Sequence, residues 1–184
     1  MEIMVQFFWI GSLPESTSAP SSSLSNTSSE VTTELIHGID NVINAELQFF
    51  SNARKRMDTC MNHTRPELAI ALEPIREAFI DAKKRNVRLR YITEITKDNV
   101  TYCKELMAIV DELRHLEGIK GNFMLSETEY LSPIILFEKG KVASQIVYSN
   151  LKEIVEQQQY FLILFGARQY PQKIGFMNLN MSLN

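Results

Sequence analysis

The chain has 184 residues, of which 45% are hydrophobic and 22% are charged, so it can bury a sizeable core in one domain. Its formal net charge of −3 argues against non-specific nucleic-acid binding, which requires a dense cationic surface. Two cysteines, Cys60 and Cys103, show no metal-ligand spacing and are too few for a disulfide framework, which indicates a reducing cytoplasm. We therefore expect a cytoplasmic protein with no nucleic-acid partner, cofactor or metal.

The amino-terminal stretch begins with an apolar run over residues 3–10 and continues with a segment rich in Ser, Thr and Pro. The apolar run is too short for a membrane span, and the acidic Glu2 does not suit a signal peptide. The following residues contain too few apolar groups to offset the entropy of ordering the chain. Residues 1–33 are therefore predicted to be a disordered lead-in, and no membrane span is expected.

The folded domain is predicted to begin near Glu34. Its first helix is indicated by an apolar stripe at helical spacing: Ile39, Val42, Ile43, Leu47 and Phe50. Residues 57–61 are typical of a short buried strand, and a polar loop with the sequence HTRP follows at its carboxyl end. Pro66 suits the first turn of a second helix, which Pro74 ends or kinks.

Residues 74–96 form the most clearly patterned unit of the chain. Ile75, Ala78, Phe79 and Ala82 recur at helical spacing and predict an amphipathic helix. Lys83, Lys84 and Arg85 suit its last turn, and Asn86 suits a left-handed stop. The β-branched and aromatic run at residues 87–92 then predicts a strand.

A further helix is predicted over residues 97–116, capped by Thr96 and ended by Gly118. Its stripe consists of Val100, Met107, Val110 and Leu113. Three strands are predicted over residues 119–125, 133–137 and 142–148, with a hairpin turn at residues 138–141. A last helix spans residues 151–161. The expected fold class is α/β, with a single mixed sheet flanked by helices.

Polar side chains follow several of the predicted strands. Open α/β sheets bind ligands at the carboxyl ends of their strands, so these side chains are expected to converge on a small-molecule pocket. The candidate ligand-binding residues are Asn62, His63, Thr64, Arg65, Thr93, Glu94, Ser149 and Asn150. For Ser149 and Asn150 the alternative is a local role in capping the last helix.

No catalytic residue is assigned, because the common nucleotide-binding and hydrolase motifs are absent from the sequence. The three histidines, His37, His63 and His115, are each isolated in sequence. Two alternatives to a binding domain stay open: a small phosphodiesterase-like hydrolase with a site around His63, Glu94 and Glu127, and an effector domain of a transcriptional regulator.

The segments EAFIDAKKRNVRLRYITE and IVYSNLKEIV resemble the half-domain of the phospholipase D-like superfamily. More narrowly, AELQFFSNARKRMDTCMNHTRP and QIVYSNLKEIVEQQQ are similar to the amino-terminal sensor region of archaeal signal-transduction histidine kinases, over residues 33–161. Active members of the superfamily use an H-x-K-x4-D motif, but no histidine follows His115 here. The resemblance implies a catalytically inactive domain of a two-component system that senses a ligand or binds a protein, truncated before the kinase core.

The tail at residues 162–184 departs from this resemblance, because the similar sequences continue with Phe-Asp-Thr-Leu-Trp after the Tyr-Phe pair. With a suitable choice of codons, a single lost base converts that continuation into the observed sequence, so we predict an out-of-frame extension that packs poorly after Phe161. The alternative is a short strand over residues 162–165 ended by Gly166. An exposed stripe of Ile154, Val155 and Phe161 on the last helix is expected to support a homodimer.

Overall fold

The computed structural model describes residues 30–134, 140–166 and 170–171. In chain order the elements are β1 (Thr33–His37), α1 (Ile39–Asn52), β2 (Arg56–Met61), α2 (Arg65–Ala71), α3 (Glu73–Lys84), β3 (Arg88–Thr93), α4 (Val100–Ile109), β4 (Glu112–His115), β5 (Phe123–Ser126), β6 (Tyr130–Pro133), β7 (Gln145–Ser149), α5 (Lys152–Gly166) and β8 (Tyr170–Pro171).

The strands form a single mixed sheet in the order β1-β7-β6-β5-β2-β3-β4-β8. The central strands β2, β3 and β4 are parallel, and every other neighbouring pair is antiparallel. Helix α1 packs on α3, and α2 packs on both α3 and α4, whereas α5 packs against β5 and β6. The predicted α/β class with a mixed sheet and flanking helices is confirmed.

The unit from α3 to β3 follows the sequence pattern closely. Ile75, Phe79 and Ala82 are buried on one face of α3, as the helical spacing predicts. Asn86 has a φ angle of 63°, so it occupies the predicted left-handed stop position. The chain then enters β3, whose six residues pair in register with β2.

The prediction of one long helix over residues 97–116 is wrong. Helix α4 ends at Ile109, because Val110 is extended at φ −86° and ψ 158°. The next residues form β4, which pairs in parallel with β3, and the Asp111 carboxylate accepts a hydrogen bond from the Leu89 amide. Val110 and Leu113 are buried as expected. Leu113, however, belongs to β4, and Val110 belongs to the short link between α4 and β4.

The predicted amino-terminal boundary is also corrected, because Thr33 already belongs to an ordered strand. Strand β1 runs antiparallel to β7, from Thr33 opposite Ser149 to His37 opposite Gln145. Gly38 then turns the chain into α1 with φ 92° and ψ 136°, a conformation that favours glycine. Residues 1–29 of the predicted lead-in lie outside the described part.

The three later strands are displaced from their predicted positions. Strand β5 begins only at Phe123, and β6 covers Tyr130–Pro133, upstream of the strand predicted at residues 133–137. Residues 135–139, and with them part of the predicted hairpin turn, lie outside the described ranges. Strands β6 and β7 are antiparallel neighbours, as the predicted hairpin requires.

The helices bury different residues from some of those expected. In α1, Val42, Phe49 and Phe50 are buried, but Ile39 is 51% exposed. In α5, Val155 is buried against Cys60, Ile92 and Leu125, so it does not belong to an exposed stripe. Helix α5 also continues to Gly166, which rules out the strand proposed for residues 162–165, and Leu162 is buried.

The Glu127 carboxylate closes the turn that precedes β2. Its oxygens accept hydrogen bonds from the amides of Arg54, Lys55 and Arg56 at 2.7, 3.2 and 3.3 Å. Partial burial alone would raise the pKa of Glu127, but hydrogen bonds from backbone amides outweigh it and the net pKa is lowered. The carboxylate form is therefore the one that stabilises this turn.

Replacing Glu127 with Gln should destabilise the fold by about 1 kcal/mol at pH 7, because the neutral amide is a weaker acceptor for these N–H groups. Since the folded-state pKa is lowered, this stabilisation is present above the unfolded-state value of 4.5 and is lost as pH falls through the folded-state pKa. Urea unfolding of both proteins at pH 7 and pH 3 should show the difference disappearing in acid. Glu105→Gln, at an exposed position of α4, is the matched control. It should leave the free energy of unfolding unchanged at both pH 7 and pH 3.

Candidate functional site

Six of the eight candidate residues lie together at the carboxyl ends of β2 and β3. Met61 and Thr93 are register partners at the ends of these parallel strands, so the loops that follow them are neighbours. The loop after β2 carries Asn62, His63 and Thr64, Arg65 is the first residue of α2, and Thr93 is followed by Glu94. The strand-end position predicted for these residues is therefore correct.

Asn62 is the centre of a hydrogen-bond network in this cluster. Its side-chain oxygen accepts from the amide and the hydroxyl of Thr64 at 2.9 and 2.7 Å. Its carbonyl accepts from the Thr93 hydroxyl and the Arg65 amide, and its own amide donates to Asn122. Asn62 is 1% exposed, so these contacts fix the loop rather than present a polar group to solvent.

Asn99, which was predicted to lie inside a helix, joins the two loops. Its side-chain amide donates at 2.8 Å to the carbonyls of both His63 and Glu94. Its side-chain oxygen accepts from the Thr96 amide, so Asn99, and not Thr96, precedes the first turn of α4. Asn99 thus holds His63 and Glu94 near each other at the carboxyl ends of the strands, and it does so through their backbone carbonyls.

Ser149 and Asn150 do not join this cluster. Ser149 is opposite Tyr130, which is opposite Leu125, which in turn is opposite Asp58, three residues before the end of β2. This register places Ser149 about 14 Å across the sheet and about 10 Å along it from the end of β2.

The contacts of these two residues are local. The Ser149 hydroxyl accepts from the Leu151 amide at the start of α5, and Asn150 exchanges hydrogen bonds with Thr32 beside β1. The contact of Ser149 supports the alternative local role at the last helix, whereas the described contacts of Asn150 join the end of β7 to the residue before β1.

The trio suggested for a hydrolase is also not assembled. Glu127 follows β5, whose end at Ser126 is opposite Met57 near the start of β2, whereas His63 and Glu94 follow the ends of β2 and β3. The Glu127 carboxylate is already bound to the three amides before β2. No described contact brings these three side chains to one reacting centre.

A cavity of about 60 Å³ lies between the sheet and helices α1, α2 and α3. Four polar side chains line it: Glu46 from α1, Thr59 from β2, Arg65 from α2 and Tyr91 from β3. The remaining lining is mainly apolar and includes Phe50, Leu68, Ile75, Phe79 and Met124. An apolar pocket with a few converging polar groups is the usual form of a small-molecule site.

The ionisation of Glu46 is strongly affected by this environment. Burial raises the pKa of the Glu46 carboxyl to about 7, and the positive charge of Arg65 opposes that rise only in part. Tyr91 is fully buried, which raises the pKa of its phenol well above the usual value. Among the described lining residues, the cavity near neutral pH therefore has one permanent cation, one titrating carboxyl and one neutral phenol.

Thr59 supplies the least expected polar group of the cavity. Its side chain is 1% exposed, and its hydroxyl has no hydrogen-bond partner among the residues that the structure describes. An unsatisfied buried hydroxyl destabilises a fold, so such groups are uncommon unless something else binds them. Arg65, in contrast, is held in place by a 2.7 Å hydrogen bond from its Nη1 atom to the Lys141 carbonyl.

Sequence reasoning identified Arg65 but missed Glu46 and Thr59. One signal for Glu46 was present, since it lies four residues after Val42 and four before Phe50, and both of these are buried. An acidic residue on the buried face of a helix is unusual, and this position could have marked Glu46 as a candidate site residue. Thr59 gave no comparable signal, because threonine is common in buried strands.

Within residues 30–134, 140–166 and 170–171, no three His, Cys, Asp or Glu side chains are grouped so that they could bind a metal ion. Over the same ranges, no helix has the length and apolar character needed to span a bilayer.

The sequence matches no protein-family profile and no curated protein sequence. Among solved structures, NucT from Helicobacter pylori superposes with a TM-score of 0.60 at 10% identity, over 77% of this chain and 99% of NucT. The phosphatidylserine synthase of Haemophilus influenzae Rd KW20 gives 0.54 at 11% identity, over 71% and 35%. TrmBL2, an archaeal chromatin protein with a novel mode of DNA binding, gives 0.52 at 12% identity, over 76% and 52%.

These similarities establish the fold, which is phospholipase D-like. Identities of 10–12% do not extend to activity, substrate or partner. The matched region is about half of the TrmBL2 chain and about a third of the synthase chain, whereas it covers almost all of NucT.

Proposed function

We propose that this chain is a non-catalytic domain with a phospholipase D-like fold that binds a small molecule in the cavity between α1, α2, α3 and the sheet. The observation that carries the proposal is the cavity itself, which Thr59, Glu46 and Arg65 line together with apolar side chains, and in which the Thr59 hydroxyl has no partner among the described residues. A bound ligand would satisfy the hydroxyl and offset the cost of burying it.

A sensor region of a signal-transduction histidine kinase is the finer form of this proposal. It is supported by the resemblance over residues 33–161 and by the missing H-x-K-x4-D motif, which removes the nucleophile that active members of the superfamily use. In this form of the proposal Arg65 contacts the ligand. The other strand-end residues support the loops around the site and do not bind the ligand themselves: Asn62, His63, Thr64, Thr93 and Glu94.

The partner proposals follow from charge and exposure. A net charge of −3 disfavours non-specific nucleic-acid binding, and the buried free thiols of Cys60 and Cys103 suit a cytoplasmic protein. A homodimer through the helix over residues 151–161 would use Tyr160 and Phe161, which are exposed, and not Val155, which is buried.

The binding proposal predicts that members of a metabolite library raise the melting temperature, and that filling the cavity removes this effect. A ligand at a hundred times its dissociation constant stabilises the native state by about 2.7 kcal/mol, roughly 5–10 °C for a chain of this size. Ala143 lines the cavity and is 3% exposed, so Ala143→Val should abolish the shift while the protein stays folded.

Ala108→Val is the matched control, because Ala108 is exposed on α4 and does not line the cavity. This variant should keep the full ligand-induced shift. The proposal is wrong if no small molecule stabilises the wild-type protein, or if Ala143→Val and Ala108→Val respond equally to every ligand found.

A further inference from the structure

We infer that the protein binds a short acidic segment of a partner protein at the amino-terminal edge of its parallel strands. The surface that would bind it, the basic patch, consists of five exposed cations in and beside two neighbouring turns: Arg54, Lys55, Arg56, Lys84 and Arg88. None of these five is among the described residues that line the cavity, so this interaction surface goes beyond the proposed ligand-binding function.

The two turns of the basic patch lie side by side. One leads from α1 into β2 and the other from α3 into β3, and these two strands are parallel neighbours. Arg56 and Arg88 are register partners, about 4.8 Å apart on adjacent strands. The Arg88 amide also donates to the Lys55 carbonyl at 2.9 Å. Cations that are distant in sequence therefore share one small surface.

The backbone beneath the patch is held by two sets of hydrogen bonds. The Glu127 carboxylate accepts from the amides of residues 54–56. In the second turn, the Arg85 guanidinium donates to the carbonyls of Phe50 and Ala53 at 2.6 and 2.8 Å, which joins the end of α3 to the end of α1. A surface that is already ordered loses less conformational entropy when a partner binds.

Most of the positive charge of the patch is not neutralised within the described part of the chain. Arg88 pairs with Glu112 at 3.7 Å, yet its side chain is 73% exposed. The other four cations make no ion pair with any described residue, although the neighbouring Lys83 pairs with Asp111. Residues 54–56 and 83–88 contain no acid and hold seven of the 19 lysines and arginines of the chain. Unpaired cations that lie close together repel one another, so an anionic partner is attracted to this surface.

The distribution of charge favours a short acidic segment over a nucleic acid. Because cations are concentrated in these nine residues, acidic residues outnumber basic ones still more strongly over the rest of the chain, whose total net charge is −3. A long polyanion would extend over that acidic surface and be repelled, whereas about five extended residues, roughly 17 Å, cover only the patch. The guanidinium groups of Arg54, Arg56 and Arg88 are suited to bidentate binding of carboxylates.

The lack of exposed apolar side chains in these two ranges disfavours a membrane surface as the partner. Val87 is the only apolar residue within 54–56 and 83–88, and it is 2% exposed. Peripheral membrane binding combines cations with apolar side chains that insert between lipids. Single-stranded nucleic acids bind by stacking their bases on exposed aromatic side chains, which these ranges also lack.

The test measures the binding of two labelled peptides to the full chain by fluorescence anisotropy: one of alternating serine and glutamate, and a neutral one of alternating serine and glutamine. We expect the glutamate peptide to bind about tenfold more tightly in low salt. The difference should disappear in about 1 M NaCl, where the Debye length falls to about 3 Å and exposed charges are screened.

Removing charge from the patch should weaken binding of the glutamate peptide about tenfold. The variant combines Arg54→Gln, Lys55→Gln and Arg56→Gln, and it keeps the backbone amides that bind Glu127. If this variant does not fold, Lys84→Gln combined with Arg88→Gln tests the other turn, with an expected loss of about threefold.

The matched control makes the same change in net charge at exposed positions outside the patch: Lys97→Gln, Lys104→Gln and Lys120→Gln. It should keep the wild-type affinity. Equal binding of the two peptides, or equal losses in the patch variant and the control, would overturn the inference. If a single-stranded oligonucleotide or phosphatidylglycerol vesicles bind the patch more tightly than the glutamate peptide, the assignment of a protein partner is wrong.

Discussion

Asn99→Ala is expected to destabilise the protein by about 2–4 kcal/mol, because three backbone groups inside the fold lose a hydrogen-bond partner. The Asn99 side chain is 4% exposed, donates to the carbonyls of His63 and Glu94, and accepts from the Thr96 amide. The alanine variant leaves these backbone groups without that partner. Urea unfolding with an unchanged m-value would measure the loss.

Two controls identify which hydrogen bonds matter. Asn41→Ala removes a single exposed contact to the His37 carbonyl and should cost less than about 0.5 kcal/mol. Asn99→Asp keeps the acceptor for Thr96 but loses both donors, so it should stay strongly destabilised. An aspartate variant as stable as the wild type would show that the bridge between the two strand-end loops is unimportant.

Leu162→Ala is expected to cost about 3 kcal/mol, the usual price of truncating a fully buried leucine. Leu162 is 1% exposed and packs with Ile92, Leu125 and Val155 on the face of the sheet that α5 covers. The adjacent Ile163 is 69% exposed, so Ile163→Ala should stay within about 0.5 kcal/mol. Thermal and urea unfolding of the two variants gives the comparison.

This pair also tests the origin of the tail. An out-of-frame extension is predicted to pack poorly after Phe161, whereas the structure continues α5 to Gly166 and buries Leu162. If Leu162→Ala and Ile163→Ala are equally mild, the continuation of the helix does not pack in solution. The nucleotide sequence after the Phe161 codon tests the frame itself, because it must read Asp-Thr-Leu-Trp in a shifted frame.

The sequence predicted best those elements whose signals are local. Helix α3 follows from Ile75, Phe79 and Ala82, and its end follows from the positive φ angle that Asn86 tolerates. Both signals depend on neighbours within one or two helical turns. The strand-end cluster was also predictable, since parallel strands β2 and β3 bring their following loops together whatever their exact register.

The boundary between α4 and β4 was not predictable from periodicity. Val110 and Leu113 fit a helical stripe, but they are equally buried when the chain leaves the helix after Ile109. What favours the strand is pairing with β3, and a single-sequence pattern does not contain that partner. Strand β1 was missed for the same reason, because its partner β7 is distant in sequence and Leu35 is 47% exposed.

The cavity required knowledge of three-dimensional packing. Glu46, Thr59 and Arg65 come from three different elements, and only the packing of α1 and α2 on the sheet makes them neighbours. The partnerless state of the Thr59 hydroxyl is likewise a property of its surroundings. Residue type and spacing alone do not reveal such a group.

The pairing of β1 with β7 determines when the first strand of the domain can fold during synthesis. Thr33 is hydrogen-bonded to Ser149, 116 residues later in the chain. During translation, the unit from α1 to β3 and the later β5–β6 pair can form their contacts early, since these require short loops. Strand β1 is made first but has no partner until β7 has left the ribosome, so its edge is exposed longest and is a target for chaperones or for mispairing.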